Sequence, residues 1–248
     1  MSIVRESFMS NLLMHVGYRK SSRDISALRS SIFSQSLLRD CNEHAVKNSI
    51  LALRRGPLRY RRNSMIVCEG DAADYIFLVV KGTVRSCRTY PDGSRGIIAF
   101  HFPGELFGWS SDAVHSLSAE AVTDTQILFF KRSTLNSAAG RNSKIASYLL
   151  TATISELRRV QEHSLMMGRL AAYRVASFLI DLSVRTGQPK YLKLPMPLID
   201  IADHLGLKME TVSRTIATLG KSGLIARSSY RTLVLRNRAL VRTIGKNV

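Results

Sequence analysis

The chain has 248 residues, 45% hydrophobic and 22% charged, a balance that excludes wholesale disorder and allows one large domain or two ordinary ones. Its 36 Lys and Arg against 18 Asp and Glu give a formal net charge of +18, which favours a polyanionic partner, either nucleic acid or an anionic membrane surface. No run reaches the roughly 18 apolar residues of a membrane span, and Cys41, Cys68 and Cys87 lack CxxC spacing, which excludes a zinc ribbon, an iron-sulfur cluster or a secreted disulfide framework and implies reduced cytosolic thiols.

The charge is uneven along the chain. Residues 1–62 carry 12 basic and 4 acidic side chains, residues 63–150 carry 8 of each, and residues 151–248 carry 16 and 6. A neutral middle between two basic ends assigns the polyanion to the ends. Residues 1–45 form a basic extension rich in Ser and Arg, a composition shared by disordered arms and organellar transit peptides, and Met9 and Met14 leave the start of translation open.

From Leu58 to Arg132 the neutral segment reads as short β-type runs: SMIVCEG, DYIFLVVKG, TVRSCRTYPDGSR, GIIAFHF and AEAVTDTQILFFKR. Gly93 closes a Pro-Asp-Gly hairpin turn, in which Pro presets φ and Gly accepts φ > 0. Strands recurring at about ten residues predict an antiparallel roll over residues 46–140.

After Gly140 the period changes. Ile145, Leu149, Leu150, Ile154, Leu157, Val160 and Leu165 recur every three or four residues, which predicts a helix of about six turns within 141–168. Its stripe must be buried on its own domain or on a second copy, and Leu150, Ile154, Leu157 and Val160 are the candidate dimer contacts. A second helical pattern runs from 169 to about 185 and stops at Thr186-Gly187; QPKYLKLPMP, with three prolines, reads as a linker.

The stretch LIDIADHLGLKMETVSRTIA fits the helix-turn-helix template. Ala202 falls where two helices touch and Gly206 at the tight turn, while Ile201, Leu205, Leu207 and Val212 take the buried positions. The second helix then begins near Lys208 and presents Met209, Glu210, Thr211, Ser213 and Arg214 at its N-terminal end, the part that enters the major groove in such motifs. Arg214 can donate twice to guanine O6 and N7, Glu210 can accept from cytosine N4, and Ser213 suits either base edge. Glu210 and Arg214 also stand at i and i+4, so a solvated ion pair is the simpler alternative. Past Gly223, LIARSSYRTLVLRN reads as two strands around a Ser-Ser-Tyr-Arg turn, with Arg227, Arg231 and Arg236 placed for phosphates.

These parts in this order resemble the Crp/Fnr superfamily of bacterial transcription regulators. The resemblance covers residues 50 to 240 and rests on FPGELFGW, HSLSAEAVTDT, GRLAAYRVASFLIDL and ADHLGLKMETVSR. It implies an α+β chain: an N-terminal antiparallel β-roll of the cyclic-nucleotide-binding jelly-roll type, a long dimerisation helix, and a C-terminal winged helix-turn-helix over 169–248. Glu-x-x-Ser-Arg, here Glu210 to Arg214, looks like the recognition signature of the Fnr and FixK branches, which implies palindromes of the TTGAT-N4-ATCAA kind. The expected protein is a cytoplasmic homodimer, an activator that engages double-stranded DNA and RNA polymerase, with no membrane partner and no resident cofactor.

Departures from the family pattern sharpen the expectation. The clustered N-terminal cysteines of oxygen-sensing relatives are missing, so no iron-sulfur cluster is expected. Gly104, Glu105, Leu106, His115 and Ser116 mark the effector pocket by resemblance, but His115 stands eleven residues after Gly104, where cyclic-AMP receptors place an arginine. Without that guanidinium fork the cyclic phosphate loses its bidentate partner. Lys208 occupies a position where relatives carry a capping hydroxyl, and lysine cannot accept those N–H bonds. The alternative of the same fold is a regulator whose DNA binding needs a small molecule in the roll between Phe100 and Phe129, or a haem held by His101 or His163. The six histidines form no HExxH, the Ser-rich segments no GxSxG, and no phosphate loop is present, which argues against an enzyme.

Overall fold

The computed structural model describes residues 49–188, 190–229 and 231–236; the expected N-terminal extension over 1–45, with Cys41, His15 and His44, lies outside them. Among the described residues, a helical stretch at 49–51 leads into eight strands: β1 (Arg55–Tyr60), β2 (Met65–Val67), β3 (Tyr75–Lys81), β4 (Val84–Thr89), β5 (Arg95–His101), β6 (Leu106–Phe107), β7 (Ser118–Ala121) and β8 (Thr125–Lys131). They pair antiparallel into two four-stranded sheets, in the orders β1-β8-β3-β6 and β2-β7-β4-β5. AEAVTDTQILFFKR thus makes two strands in different sheets, because the turn at 122–124 carries the chain from one to the other. Val67, Phe77, Val79, Val84, Phe107, Ala119 and Ile127, drawn from both sheets, fill the space between them. This is the expected jelly roll.

The helices follow as α1 (Arg132–Arg141), α2 (Ser143–Met167), α3 (Ala171–Arg185), α4 (Leu198–Leu205) and α5 (Met209–Lys221). Asn142 caps α2 by accepting from the Lys144 backbone N–H. Of the 25 residues of α2 only Ile145 is buried, and the stripe at Leu150, Ile154, Leu157 and Val160 remains 47–61% exposed. Amphipathic helices of this length ordinarily bury such a periodic apolar face.

Strands β9 (Tyr191–Lys193), β10 (Ile225–Ser229) and β11 (Thr232–Leu235) form a separate three-stranded sheet in the order β10-β11-β9. The segment read as a linker therefore contains a strand: Leu192 and Leu194 are buried, and β9 pairs with β11 through Leu233↔Leu192. Three residues between prolines are too few to show a period.

The β-roll and the helical module share one apolar core. Cys87, Ile97 and Phe100 of β4 and β5, with Phe102 and Val122, pack in the same cluster as Val175, Leu179, Leu182, Ile201, Leu205 and Val212. The β2-β7-β4-β5 sheet is thus covered on both faces at β4, whose first four residues are all buried. This corrects the expected place of Phe100. Its ring does not look into the roll towards Phe129; it meets Phe178 of α3 and His204 of α4 edge-on at 6.0 and 5.2 Å. Phe129 instead packs against Tyr75.

Candidate nucleic-acid interface

The helix-turn-helix is built by α4 and α5 at the angle their turn dictates. Gly206 ends α4 with φ 59 and ψ 41, the left-handed region that a residue with a Cβ adopts only at a cost, and its turn lets Leu207 N–H return to Ala202 O. Ile201, Ala202, Leu205 and Val212 are each at most 1% exposed, so the two helices meet at the expected slots. Leu207 is only partly buried at the edge of this core, because the turn carries it outward.

Helix α5 starts at Met209 with Lys208 as its N-cap, and no side chain caps it. Lys208, Met209, Glu210 and Arg214 are exposed, while Thr211 and Ser213 are half-buried. The i,i+4 pair expected on the simpler alternative does not form: among the described residues no ion pair joins Glu210 to Arg214. Their charges are left to solvent or to a ligand. The carboxylate at the first turn is favoured by the helix dipole, so Glu210 costs the fold little where it stands.

Thr211, Arg214, Thr215, Thr218 and Leu219 of α5 face Ala172 of α3 across an open cleft of about 340 Å³. Thr215 and Thr218 escaped the reading of the motif. Their signal was available, since Thr211, Thr215 and Thr218 repeat at i, i+4 and i+7 and so place three hydroxyls along one side of the helix. Hydroxyls in that position suit phosphate oxygens, which fix register rather than sequence. Beside α5, the β10-β11 hairpin carries Arg227 and Arg236 exposed and Arg231 half-buried. A further row of exposed arginines, Arg54, Arg55, Arg59, Arg61 and Arg62, lies on and around the edge strand β1 of the roll.

The residues marked by resemblance as an effector pocket make contacts within the protein. Glu105 accepts from Arg185 Nε at 2.9 Å and Nη2 at 2.7 Å, and from Phe102 N–H at 3.0 Å, with Arg159 at 3.7 Å. Burial works against its charge, yet the Arg185 hydrogen bonds and the two guanidiniums hold its carboxyl below the usual range. His115 is buried, with its ring 6.2 Å from that of Phe77; burial, then the nearby Arg132, lowers its pKa. Leu106 is buried in β6, Gly104 and Ser116 are exposed, and Ser116 spends its carbonyl on Arg88. At the positions marked by resemblance stand a buried histidine and a carboxylate that accepts from Arg185.

Both haem candidates, His101 and His163, keep a buried Nδ1 without a hydrogen-bond partner. His101 is fully enclosed, shares a 2.8 Å hydrogen bond with Ser86 and is lowered by burial to about 4. His163 stacks on His204 at 4.3 Å. Among the described residues no group of three or more His, Cys, Asp or Glu could hold a metal, and no helix is long and apolar enough to cross a membrane.

A β-roll joined through a long helix to a winged helix-turn-helix whose second helix opens on exposed charged side chains is the architecture of a DNA-binding transcription regulator. Comparison with known proteins agrees. A model of the cyclic nucleotide-binding domain matches residues 57–142, and a model of the Crp-like helix-turn-helix domain matches residues 173–244. The chain is similar to the nitrogen fixation regulation protein FixK of Azorhizobium caulinodans, with 39% identity over 82% of this chain and 84% of that one. FixK of Rhizobium meliloti is 37% identical over 75% of this chain and 85% of its own length. The solved structure of FixK2 from Bradyrhizobium japonicum superposes with a TM-score of 0.73 at 41% identity, covering 76% of this chain and 96% of that one. The chain belongs to the FixK-like regulators of the Crp/Fnr superfamily.

Proposed function

We propose that this regulator acts as a homodimer that binds a TTGAT-N4-ATCAA-like palindrome and activates transcription in the cytoplasm, through contact with RNA polymerase and without a small-molecule effector. The observation that carries the reading is the free face of α5, where Glu210 and Arg214 stand exposed and unpaired with one another above the half-buried Ser213. In this reading Arg214 takes a guanine, Glu210 a cytosine amine, and Ser213 a base edge, while Lys208, Thr211, Arg227 and Arg231 take phosphates and Met209 packs on a base edge. Glu210 repels phosphates, so its return is discrimination rather than affinity.

Dimerisation is supported by the open stripe of α2, which a second copy would cover with Leu150, Ile154, Leu157 and Val160. Two recognition helices about one DNA turn apart then match the two halves of a palindrome. Independence from an effector is supported by the engagement of Glu105 with Arg185 and by the burial of His115. Activation and a role in nitrogen fixation are supported by the FixK relatives.

The test is a titration of operator duplex with effector-free protein in aerobic buffer, alongside Leu157→Glu. Wild type should bind without additive as a dimer. Leu157→Glu, with a charge in the seam, should sediment as a monomer and lose about 100-fold or more in operator affinity, because each half-site must then be bought separately. Dimers of full affinity after that change would refute the arrangement.

A further inference from the structure

We infer that Asp200 is a positioning residue for DNA recognition: held by Arg85 and Arg95 of the β-roll, it locks the helix-turn-helix in one register on the roll. The inference rests on the effector-free reading above and supplies its physical means. Asp200 lies in the first turn of α4 and is 1% exposed. Arg85 of β4 donates to one of its oxygens at 2.5 Å and Arg95 of β5 to the other at 2.8 Å, across more than one hundred residues of sequence. Arg95 also donates to Asp203, one turn further along α4, at 3.0 Å, and Arg85 donates to Glu120 of β7 at 2.7 Å.

The surrounding contacts explain why a charged lock is informative there. Ile97, Phe100 and Cys87 meet α3 and α4 through apolar surface, and such contact has no direction, so a module resting on it alone could slide or pivot. A buried carboxylate that accepts from two guanidiniums is satisfied in one register only. Any shift by a helical turn strands the buried charges of Asp200 and Arg85, which the interior tolerates poorly, and takes a partner from the half-buried Arg95. Buried ion pairs are best known for this use, as devices that specify register more than they stabilise. Two further contacts agree on the same register: His204 of α4 reaches Ile97 O through Nδ1 at 3.0 Å, and Arg185 of α3 donates to Phe100 O and to Glu105.

Because α5 is packed on α4 through Val212 and Leu205, the setting of α4 on the roll is also the setting of the recognition helix. The spacing between two recognition helices in a dimer is then fixed by the chain alone.

The experiment compares operator duplexes whose central gap is the expected one, or one base pair shorter or longer, with wild type, Asp200→Asn and, should that variant fold poorly, the milder Arg95→Gln. Hydrogen exchange of the free proteins is measured in parallel. A lock predicts that both variants lose discrimination between gap lengths by about five-fold or more, while discrimination between the palindrome and scrambled DNA survives. It also predicts faster exchange of β5 and α4 amides together. A loss of affinity equal at every gap length, with β5 and α4 exchange unchanged, would overturn the lock. If wild type itself needs an additive to bind the palindrome, the effector-free reading fails, and the exchange measurement still decides the lock.

Discussion

Two faces of one helix-turn-helix carry acids in opposite circumstances. Asp200, on the side of α4 turned to the β-roll, is buried and holds two arginines; Glu210, on the outer side of α5, is exposed and leaves Arg214 four residues away unpaired. A charge that the protein satisfies internally is architecture, and a charge it leaves open is available to a ligand. In a chain of net charge +18, phosphate attraction needs no help from acids, so each acid in the DNA-binding module has a more specific use.

The largest expected effect separates the two acids by stability. Asp200→Ala should cost about 3–5 kcal/mol, towards the lower end because Glu120 and Asp203 still engage the two arginines. Glu210→Ala should change stability by no more than about 0.5 kcal/mol, as for other exposed positions without partners. Chemical denaturation of both variants checks this; equal losses would erase the distinction between the two faces.

Acid sharpens the same comparison, because the roll-facing side also encloses imidazoles. Burial, then the neighbouring His163, lowers His204 to about 3, and burial lowers His101 to about 4. In the unfolded chain both titrate near their ordinary value of 6.5, so below that pH the unfolded state binds more protons and folding weakens. The two neutral rings contribute fully above pH 6.5. Their contribution falls as pH drops from 6.5 towards 4 for His101 and towards 3 for His204. Thermal melts across this range should show a His204→Phe variant with a flatter decline than wild type, whereas parallel declines would mean that His204 is not held neutral. The thiol of Cys87 in the same interface is pushed up to about 11 by burial and then by Glu120, so oxidants should leave it intact where the exposed Cys68 reacts.

The smallest effect concerns the outer face alone. Lys208 caps α5 without a side-chain hydrogen bond, and its charge opposes the helix dipole. Lys208→Thr should therefore raise stability by about 1 kcal/mol and, if the ammonium meets a phosphate in each half-site, reduce the slope of log affinity of the dimer against log salt by about 1.8. An unchanged slope would remove Lys208 from the phosphate contacts.

The outer face was legible from residue types because a helix-turn-helix concentrates its constraints in twenty consecutive residues. Gly206 at the turn, Ala202 at the crossing and the spacing of Ile201, Leu205 and Val212 each answer to a local requirement. The roll was legible as a set of strands for the same reason, although β1 and the two-residue β6 give too little alternation to be seen. The interface between roll and module was not legible. Arg85 alternates with apolar neighbours as a solvent-facing residue would, yet β4 is covered on both faces, and its partner Asp200 is 115 residues away. Phe100 likewise lies on a sheet covered on both sides, and its contacts with Phe178 and His204 come from far along the chain. Nothing local in the chain distinguishes an arginine that meets water from one that meets a buried carboxylate on another element.

The most direct test of the account is the affinity of Glu210→Ala, Ser213→Ala and Arg214→Ala proteins for the palindrome and for duplexes substituted at single base pairs of each half-site. The account predicts that Arg214→Ala loses about 1–3 kcal/mol on the intact palindrome and no longer distinguishes a replaced guanine, and that Glu210→Ala becomes indifferent at one cytosine while binding scrambled DNA more tightly. Variants that keep the full preference of wild type for the palindrome over scrambled duplex would contradict it.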